Sequence, residues 1–229
     1  DIVLQPLASS EAVLTPEERE LGVAMVDMGG GTTDLAIFAE GSIRHTAVLP
    51  IGGQHLSTDL AIGLRTPQAE AERIKIRKGV ALAELVKDDD MVEVPGVGDR
   101  PARTLSRKLL AEIIEPRVEE MFDLVCREIT RTGYEGILAA GVVITGGTSM
   151  LEGILEAAER VLDLPVRRGV PNGVGGLRDI VSNPIYATGV GLILHARHHA
   201  EELEMAGLRS GRRVGRAFGR MREWMLEFF

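Results

Sequence analysis

Two short apolar segments separated by three glycines constrain the fold of this chain more than any other feature. The first apolar segment, residues 23–26 (VAMV), runs into Asp27, and the second, residues 35–38 (LAIF), follows the polar sequence TTD. Glycines occupy positions 29–31 between them. Short apolar runs bounded by turn residues predict a buried strand, a tight turn and a second strand.

The glycine turn is suited to holding a phosphate group. Consecutive glycines allow backbone N–H groups to approach a ligand with no Cβ atom in the way, and a cluster of such donors favours phosphate oxygens. Asp27, at the end of a buried strand, needs a metal ion, a water or several hydrogen-bond donors, because an uncompensated buried charge is costly. A nucleotide-bound Mg²⁺ would suit it. The alternative is a β-hairpin whose glycines only permit positive φ angles.

The composition excludes several classes of protein. Hydrophobic residues make up 45% of the chain and charged residues 26%, which is typical of a soluble globular protein. Aromatic residues make up only 3%, which leaves little for stacking on nucleic acid, so no nucleic-acid partner is expected. The single cysteine, Cys126, excludes an internal disulfide framework and suits a reducing cytoplasm.

Charge is distributed unevenly along the chain. The formal net charge is −8, yet residues 209–229 contain six arginines and two glutamates, so residues 1–208 carry −12. At about 100° per residue, the apolar residues of this last segment, except Leu226, fall on one arc of a helix, and most of its charged residues, including Arg212, Arg213, Arg216 and Arg220, lie opposite. The pattern predicts a helix lying in a membrane interface with anionic lipid as its partner, and a core helix or a helix in a partner's groove are the alternatives. The predicted membrane-binding residues are Val214, Arg216, Phe218, Arg220, Met221, Trp224, Met225, Phe228 and Phe229.

Strands and helices are predicted to alternate through the rest of the chain. Thr15 has the form of a helix N-cap with proline at the first helical position. Pro116 is expected to end or kink a long helix, giving two helices. Residues 165–176 are predicted to form a glycine-rich loop. Predicted strands lie at residues 1–5, 41–50, within 92–101 and at 142–144, and predicted helices begin near Leu7, Pro16, Ser57, Gln68, Thr104, Ser149 and Pro184.

A second glycine motif follows the predicted strand at residues 142–144. Its sequence, TGGT at 145–148, precedes a helix expected to begin near Ser149. Glycines at a helix N-terminus place free N–H groups and the positive end of the helix dipole beside a bound anion or sugar. Two glycines at a strand–helix junction are common, so this motif alone is a weak indication of a ligand.

The order of these motifs resembles a known superfamily and, within it, one family. DMGGGTTD resembles the second phosphate motif of actin, the heat-shock chaperones and the sugar kinases, in which two similar lobes close over ATP. AERIK, at residues 71–75, resembles the helix that packs against the nucleoside, and TGGTSM resembles the adenosine motif. With residues 100–121 (RPARTLSRKLLAEIIEPRVEEM) and the terminal amphipathic segment, they resemble the FtsA family of bacterial cell-division proteins.

The resemblance implies an α/β fold, consisting of an actin-like (ribonuclease H-like) lobe with an inserted smaller α+β subdomain and a C-terminal amphipathic helix. Residues 1–20 would end a first-lobe subdomain. The implied second-lobe, nucleotide-binding core is 21–65 with 134–183, the inserted subdomain is 66–133, the helix returning to the first lobe is 184–205, the linker is 206–213 and the membrane helix is 214–229.

The resemblance also implies ATP and Mg²⁺ as cofactors, with the metal held by Asp27 through water. No base for activating water is identifiable, so hydrolysis is expected to be weak or absent. The family's first phosphate motif would lie before residue 1, so the chain is expected to be a C-terminal fragment lacking half the nucleotide site. The implied nucleotide-binding residues are Asp27, Gly29, Gly30, Gly31, Thr32, Thr33, Glu72, Lys75, Gly146, Gly147 and Met150.

The partners implied by the resemblance are FtsZ, further copies of the protein in an actin-like protofilament, and other division proteins. The location implied is the cytoplasmic face of the inner membrane at the division site, where the protein would tether the FtsZ ring. The C-terminal tail of FtsZ is expected to dock on residues 66–133 beside Arg100, Arg103, Arg107, Lys108 and Arg117. An ATP-dependent phosphotransferase or another actin-like filament protein of the superfamily is the alternative.

Overall fold

A five-stranded mixed sheet forms the centre of the molecule. The computed structural model describes residues 2–98, 100–175, 181–198 and 200. The strand order is β3-β2-β1-β6-β7, with antiparallel pairing among β1, β2 and β3 and parallel pairing of β1 with β6 and of β6 with β7. These strands are β1 (Val23–Met28), β2 (Thr33–Ala39), β3 (Ser42–Leu49), β6 (Val142–Thr145) and β7 (Val166–Arg168).

Helices cover both faces of this sheet, and a separate two-stranded hairpin is formed by β4 (Met91–Val94) and β5 (Arg103–Ser106). No helix in the described ranges is long and apolar enough to cross a membrane. The helices are α1 (Gln5–Val13), α2 (Pro16–Leu21), α3 (Gly53–Leu64), α4 (Gln68–Lys78), α5 (Arg107–Thr132), α6 (Ile154–Leu162) and α7 (187–198). Short 3-10 helices lie at Ala83–Leu85, Glu135–Ile137, Gly147–Met150 and Pro184–Tyr186.

The alternation of side chains along β1 divides the apolar core into two layers. Ala24, Val26 and Met28 pack in one cluster with α3, α5 and α6, whereas Val23 and Met25 pack in a second cluster with α1 and α7. Because successive strand residues point to opposite faces, Asp27 projects from the face of Val23 and Met25. Asp27, the second-last residue of β1, therefore faces α1 and α7.

The predicted strand, turn and strand around the three glycines are confirmed. β1 pairs with β2 in an antiparallel register that places Asp27 opposite Asp34. The predicted cap at Thr15 is also confirmed, since Thr15 Oγ1 accepts the Glu18 amide at 3.3 Å and Glu18 Oε2 accepts the Thr15 amide at 2.9 Å. This reciprocal pair satisfies two backbone donors that would otherwise have no partner at the start of α2.

Pro116 does not end the long helix, so the prediction of two helices was wrong. α5 is one helix of 26 residues with Pro116 inside it. Proline costs a helix interior about 3 kcal/mol. Eight residues of α5 are buried, and burial of each larger apolar side chain contributes about 1.5–3 kcal/mol, which outweighs that cost. They are Leu110, Ala111, Ile114, Val118, Met121, Phe122, Val125 and Ile129.

Several other predicted boundaries were wrong. Residues 2–4 form no strand, and the Leu4 carbonyl accepts hydrogen bonds from the Leu7 and Ala8 amides of α1. α3 begins at Gly53 rather than near Ser57. The predicted loop at 165–176 contains β7, which pairs with β6. The segment after β6 is first a 3-10 helix, and α6 begins only at Ile154. The hairpin strand β5 occupies the predicted start of the long helix.

Candidate functional site

The glycine turn between β1 and β2 is held between two other segments of the chain. The Gly53 amide at the start of α3 donates to the Gly29 carbonyl at 2.9 Å, and Thr148 Oγ1 donates to the same carbonyl at 3.0 Å. The Gly29 amide donates to the Thr32 carbonyl at 2.9 Å, which closes the turn. The two glycine motifs of the sequence therefore meet at Gly29.

The third glycine of the turn is not required by the folded chain itself. Gly31 is exposed, and a Cβ atom added there would meet no atom within 4 Å. None of the three glycines at 29–31 has a positive φ angle, so the hairpin alternative, in which they serve to permit positive φ, does not describe this turn. Gly146 differs, because its φ is +84° and an added Cβ would lie 2.4 Å from Asp27 Oδ1.

A cleft of about 1190 Å³ opens beside this turn. Its wall includes parts of α3 and α4 and the 3-10 helix after β6. Six of the predicted nucleotide-binding residues line it: Gly29, Gly30, Glu72, Lys75, Gly147 and Met150. The other five, Asp27, Gly31, Thr32, Thr33 and Gly146, lie next to these along the chain and outside the lining.

Sequence reasoning missed the contribution of the start of α3. Gly53 lines the cleft, and an added Cβ there would lie 2.5 Å from Thr148 Oγ1. At Gly52, an added Cβ would lie 2.7 Å from the Gly30 carbonyl oxygen. In the sequence, two glycines before a helix need no more than an ordinary strand-to-helix turn, so they gave no indication of a ligand. The close approach to Gly30 and Thr148 is a tertiary contact.

Lys75 and Glu72 form an ion pair on the cleft-facing side of α4. Lys75 Nζ donates to Glu72 Oε2 at 2.8 Å, to Ser57 Oγ at 2.9 Å and to the Gly53 carbonyl at 2.8 Å. The Lys75 side chain is 11% exposed and the Glu72 side chain 42% exposed. Burial raises the pKa of Glu72, but hydrogen bonds from Lys75 and Ser57 outweigh it, so the pKa lies below its usual value. Glu72 is therefore an ionised acceptor beside the cleft.

Asp27 and Asp34 are two buried carboxylates on the same face of the sheet. They lie directly opposite each other on β1 and β2 and are 3% and 4% exposed. Burial raises the pKa of Asp34 above its usual value, the Thr32 hydroxyl at 3.1 Å lowers it, and the charge of Asp27 raises it further. Like charges directly opposite on paired strands destabilise a sheet. This pair would be stabilised by a nearby cation.

The oxygen chemistry of this pair fits Mg²⁺. Magnesium in nucleotide sites is usually held by one or two carboxylates together with phosphates and water, rather than by a full set of protein ligands. Within the described residues, no three His, Cys, Asp or Glu side chains converge as a metal site. The arrangement matches a metal that arrives with a phosphate ligand.

The five basic residues predicted to bind an FtsZ tail are mostly engaged within the chain. Three of them form ion pairs, which are Arg107 with Asp90 (3.1 Å), Lys108 with Asp88 (3.0 Å) and Arg117 with Asp59 (2.7 Å). Arg103 donates to the Leu64 carbonyl, and Arg100 is exposed. Arg107 also lines the cleft. Their role in binding a partner stays a prediction.

The predicted membrane-binding residues, 214–229, lie outside the described residues. The linker at 206–213 and residues 201–205 of the predicted returning helix lie outside them as well.

Comparison with known protein families agrees with this geometry. The family model described as "Cell division protein FtsA" matches residues 24–191, a range that contains the glycine turn, the Glu72–Lys75 pair and the second glycine motif. The chain belongs to the FtsA family. The prediction from the sequence motifs is thereby confirmed.

Individual FtsA proteins are similar over most or all of the chain. The cell division protein FtsA of Pseudomonas aeruginosa is 57% identical over 195 residues, covering 85% of this chain and 47% of that protein. The FtsA proteins of Neisseria meningitidis and Escherichia coli K12 are 46% and 42% identical, covering 100% of this chain and 56% of each relative. The chain thus spans about half the length of these FtsA relatives.

Solved structures share the fold. MreB 5 of Spiroplasma citri, in a crystal structure bound to AMPPNP, superposes with a TM-score of 0.70 at 19% identity, covering 88% of this chain and 60% of that one. The ethanolamine utilization protein EutJ of Carboxydothermus hydrogenoformans superposes with a TM-score of 0.57 at 26% identity, covering 83% and 53%. The predicted actin-like α/β fold is therefore confirmed for the described part of this FtsA-family chain.

Proposed function

We propose that the cleft binds the adenosine and phosphates of ATP as part of an actin-like cell-division protein. The observation that carries this proposal is the convergence of two glycine motifs and an ionised carboxylate on one cleft. Gly31 is exposed and has neither a packing nor a conformational need to be glycine, which is expected where a ligand approaches the backbone closely. The neighbour MreB 5, which shares the fold, was solved with AMPPNP, and this supports a nucleotide as the ligand.

The nucleoside would be held on the α4 side of the cleft. Glu72 is half exposed and ionised, and can accept hydrogen bonds from the hydroxyl groups of a ribose. Lys75 also lines the cleft, and its nearly buried ammonium group donates to three acceptors, so it would hold Glu72 and the start of α3 in place beside the nucleoside. Gly146, Gly147 and Met150 would complete the adenosine side.

The phosphates would be held at the glycine turn with the residues that follow it, Thr32 and Thr33. Mg²⁺ bound to those phosphates would stabilise their charge and lie near Asp27, which would hold it through water. The buried pair of Asp27 and Asp34 supports this assignment, because a divalent cation offsets the repulsion between them. No described side chain is assigned to activate water, so we propose nucleotide binding with weak or absent hydrolysis.

Measured nucleotide affinity tests this proposal. A fluorescent ATP analogue should bind the purified full-length protein, which includes the other half of the nucleotide site, with Mg²⁺ present and be displaced by unlabelled ATP. Glu72→Gln should weaken binding about 10-fold or more, because a hydrogen bond to a charged group contributes about 1.5–3 kcal/mol. Glu70→Gln is the matched control, since Glu70 lies on the same helix, pairs with Arg73 and does not line the cleft. Equal affinities for the two variants, or no displacement by ATP, would contradict the proposal.

In the cell, we propose that the protein forms actin-like filaments with further copies of itself and acts with other division proteins. It would tether the FtsZ C-terminal tail to the inner face of the cytoplasmic membrane at the division site. Family membership supports this role, and residues 214–229 would supply the membrane contact. Arg100, the exposed member of the basic group, is the first residue to test, and Arg100→Glu should weaken binding of an FtsZ tail peptide.

Vesicle pelleting tests the membrane contact. The protein should pellet with vesicles containing anionic lipid, and substitution of Trp224, Phe228 and Phe229 by serine should release it. Added salt should also reduce pelleting, because salt screens the attraction between arginines and anionic lipid beyond a Debye length. Each arginine near such lipid contributes at most about 1 kcal/mol of binding free energy. Pelleting that is unaffected by the three substitutions would refute the assignment of these residues.

A further inference from the structure

Two hydroxyl groups, one from α1 and one from α7, donate hydrogen bonds to the same oxygen of the Asp27 carboxylate. Ser9 Oγ on α1 donates to Asp27 Oδ2 at 2.5 Å, and Thr188 Oγ1 on α7 donates to the same oxygen at 3.2 Å. The two hydroxyl oxygens are 3.0 Å apart. Ser9 is fully buried. One oxygen of the carboxylate is thus engaged by two donors that lie 179 residues apart in the chain.

The positions of these hydroxyls are set by close packing of α1 against α7. A Cβ atom added at Gly191 would lie 1.7 Å from the Ala8 carbonyl oxygen, so the two helix backbones are in contact there. Ala8 precedes Ser9, and Gly191 lies one helical turn after Thr188. This contact fixes the separation of the two helix backbones that carry Ser9 and Thr188.

The other carboxylate oxygen faces the second glycine motif. Asp27 Oδ1 lies where a Cβ atom of Gly146 would approach within 2.4 Å. With Oδ2 engaged by Ser9 and Thr188, the orientation of the carboxylate is restrained and Oδ1 is presented beside Gly146 of the second glycine motif. Groups that orient a metal-binding carboxylate from behind commonly affect metal affinity 10- to 100-fold.

We propose that Ser9 and Thr188 are positioning residues that orient Asp27 toward a divalent cation carried by the bound nucleotide. The inference rests on the proposed nucleotide function. Neither residue would contact the nucleotide, so their effect should appear only where the metal contributes to binding. Because α1 and α7 both supply a donor, the orientation of the carboxylate also depends on how these two helices pack.

Affinity for the fluorescent ATP analogue, measured as MgCl₂ is titrated and again in EDTA, tests the inference. Ser9→Ala should raise the Mg²⁺ concentration needed for half-maximal binding about 10-fold or more and leave the affinity in EDTA unchanged. Ser10→Ala is the matched control, because Ser10 is equally buried on α1 but donates to the Leu7 carbonyl at 2.7 Å instead.

Thr188→Val, which removes the hydroxyl, supplies a second test if Ser9→Ala fails to fold. Thr188→Ser, which keeps the hydroxyl, should show the same Mg²⁺ dependence as the wild type. An unchanged Mg²⁺ dependence in Ser9→Ala or in Thr188→Val would overturn the positioning role while nucleotide binding stands. If the wild type binds nucleotide equally well with and without Mg²⁺, the role of Asp27 itself is wrong. If the wild type binds no nucleotide, the proposed function fails and this inference fails with it.

Discussion

Replacing Gly31 by alanine should separate folding from ligand binding at the glycine turn. Gly31 is exposed, does not have a positive φ angle, and has no atom within 4 Å of the position where a Cβ would lie. The folded chain can therefore accept the methyl group without a clash. A nucleotide phosphate held closely against the backbone at this turn could not.

The expected effect on stability is small and favourable. Where the native backbone accepts alanine, Gly→Ala stabilises a protein by about 0.4–1 kcal/mol, because it reduces the entropy of the unfolded chain. For a domain of roughly this size, 1 kcal/mol corresponds to about 2–4 °C in melting temperature. Gly31→Ala should accordingly raise the melting temperature of the ligand-free protein by about 1–4 °C.

The expected effect on binding has the opposite sign. If the methyl group displaces one backbone N–H from a phosphate oxygen, the binding free energy falls by about 1.5–3 kcal/mol, which corresponds to a 10- to 150-fold weaker affinity. Thermal unfolding without ligand and equilibrium binding of the ATP analogue measure the two effects separately.

Gly136→Ala is the matched control for Gly31→Ala. Gly136 is also exposed, has no positive φ angle and no atom within 4 Å of an added Cβ, and it lies in the 3-10 helix Glu135–Ile137 rather than in the glycine turn. It should gain similar stability and keep the wild-type affinity. If Gly31→Ala binds nucleotide as tightly as Gly136→Ala, then the backbone at Gly31 does not bind the phosphates, and the proposed phosphate contact is refuted.

Two further predictions concern packing and pH. Gly191→Ala should lower the free energy of unfolding, measured by chemical denaturation, by about 1–3 kcal/mol, because the new Cβ would clash with the Ala8 carbonyl. Gly189→Ala is the control, since an added Cβ there has open space, and it should be neutral or stabilising. Equal stabilities of the two variants would refute the close helix contact. The hydrogen bond from Arg131 is the main cause that lowers the pKa of Glu128 to about 2, so Glu128 contributes stability above its ordinary pKa that is lost as the pH falls from about 4.5 to 2. Melting temperatures over that range should fall less steeply in Glu128→Gln than in the wild type, and parallel curves would count against this contribution.

Much of the central sheet could be predicted because its signals are local. The apolar runs of β1 and β2, the glycines between them and the cap at Thr15 are each contained within a few residues. β7 escaped prediction because three residues carry too little periodicity, and only pairing with β6 makes them a strand. The predicted break at Pro116 was wrong, because the burial that keeps α5 continuous comes from packing against other elements.

In the candidate site too, some features follow from the sequence and others only from the fold. Sequence alone determined that a buried aspartate lies near the end of β1 beside a glycine turn, and strand alternation places it on one face of the sheet. It also placed Glu72 and Lys75 three residues apart, on one face of a helix. Only the tertiary structure decided that Lys75 is bound to Ser57 and that Asp27 is held by Ser9 and Thr188. Contacts between residues so distant in the chain depend on how helices pack on the sheet, and no local pattern encodes that packing.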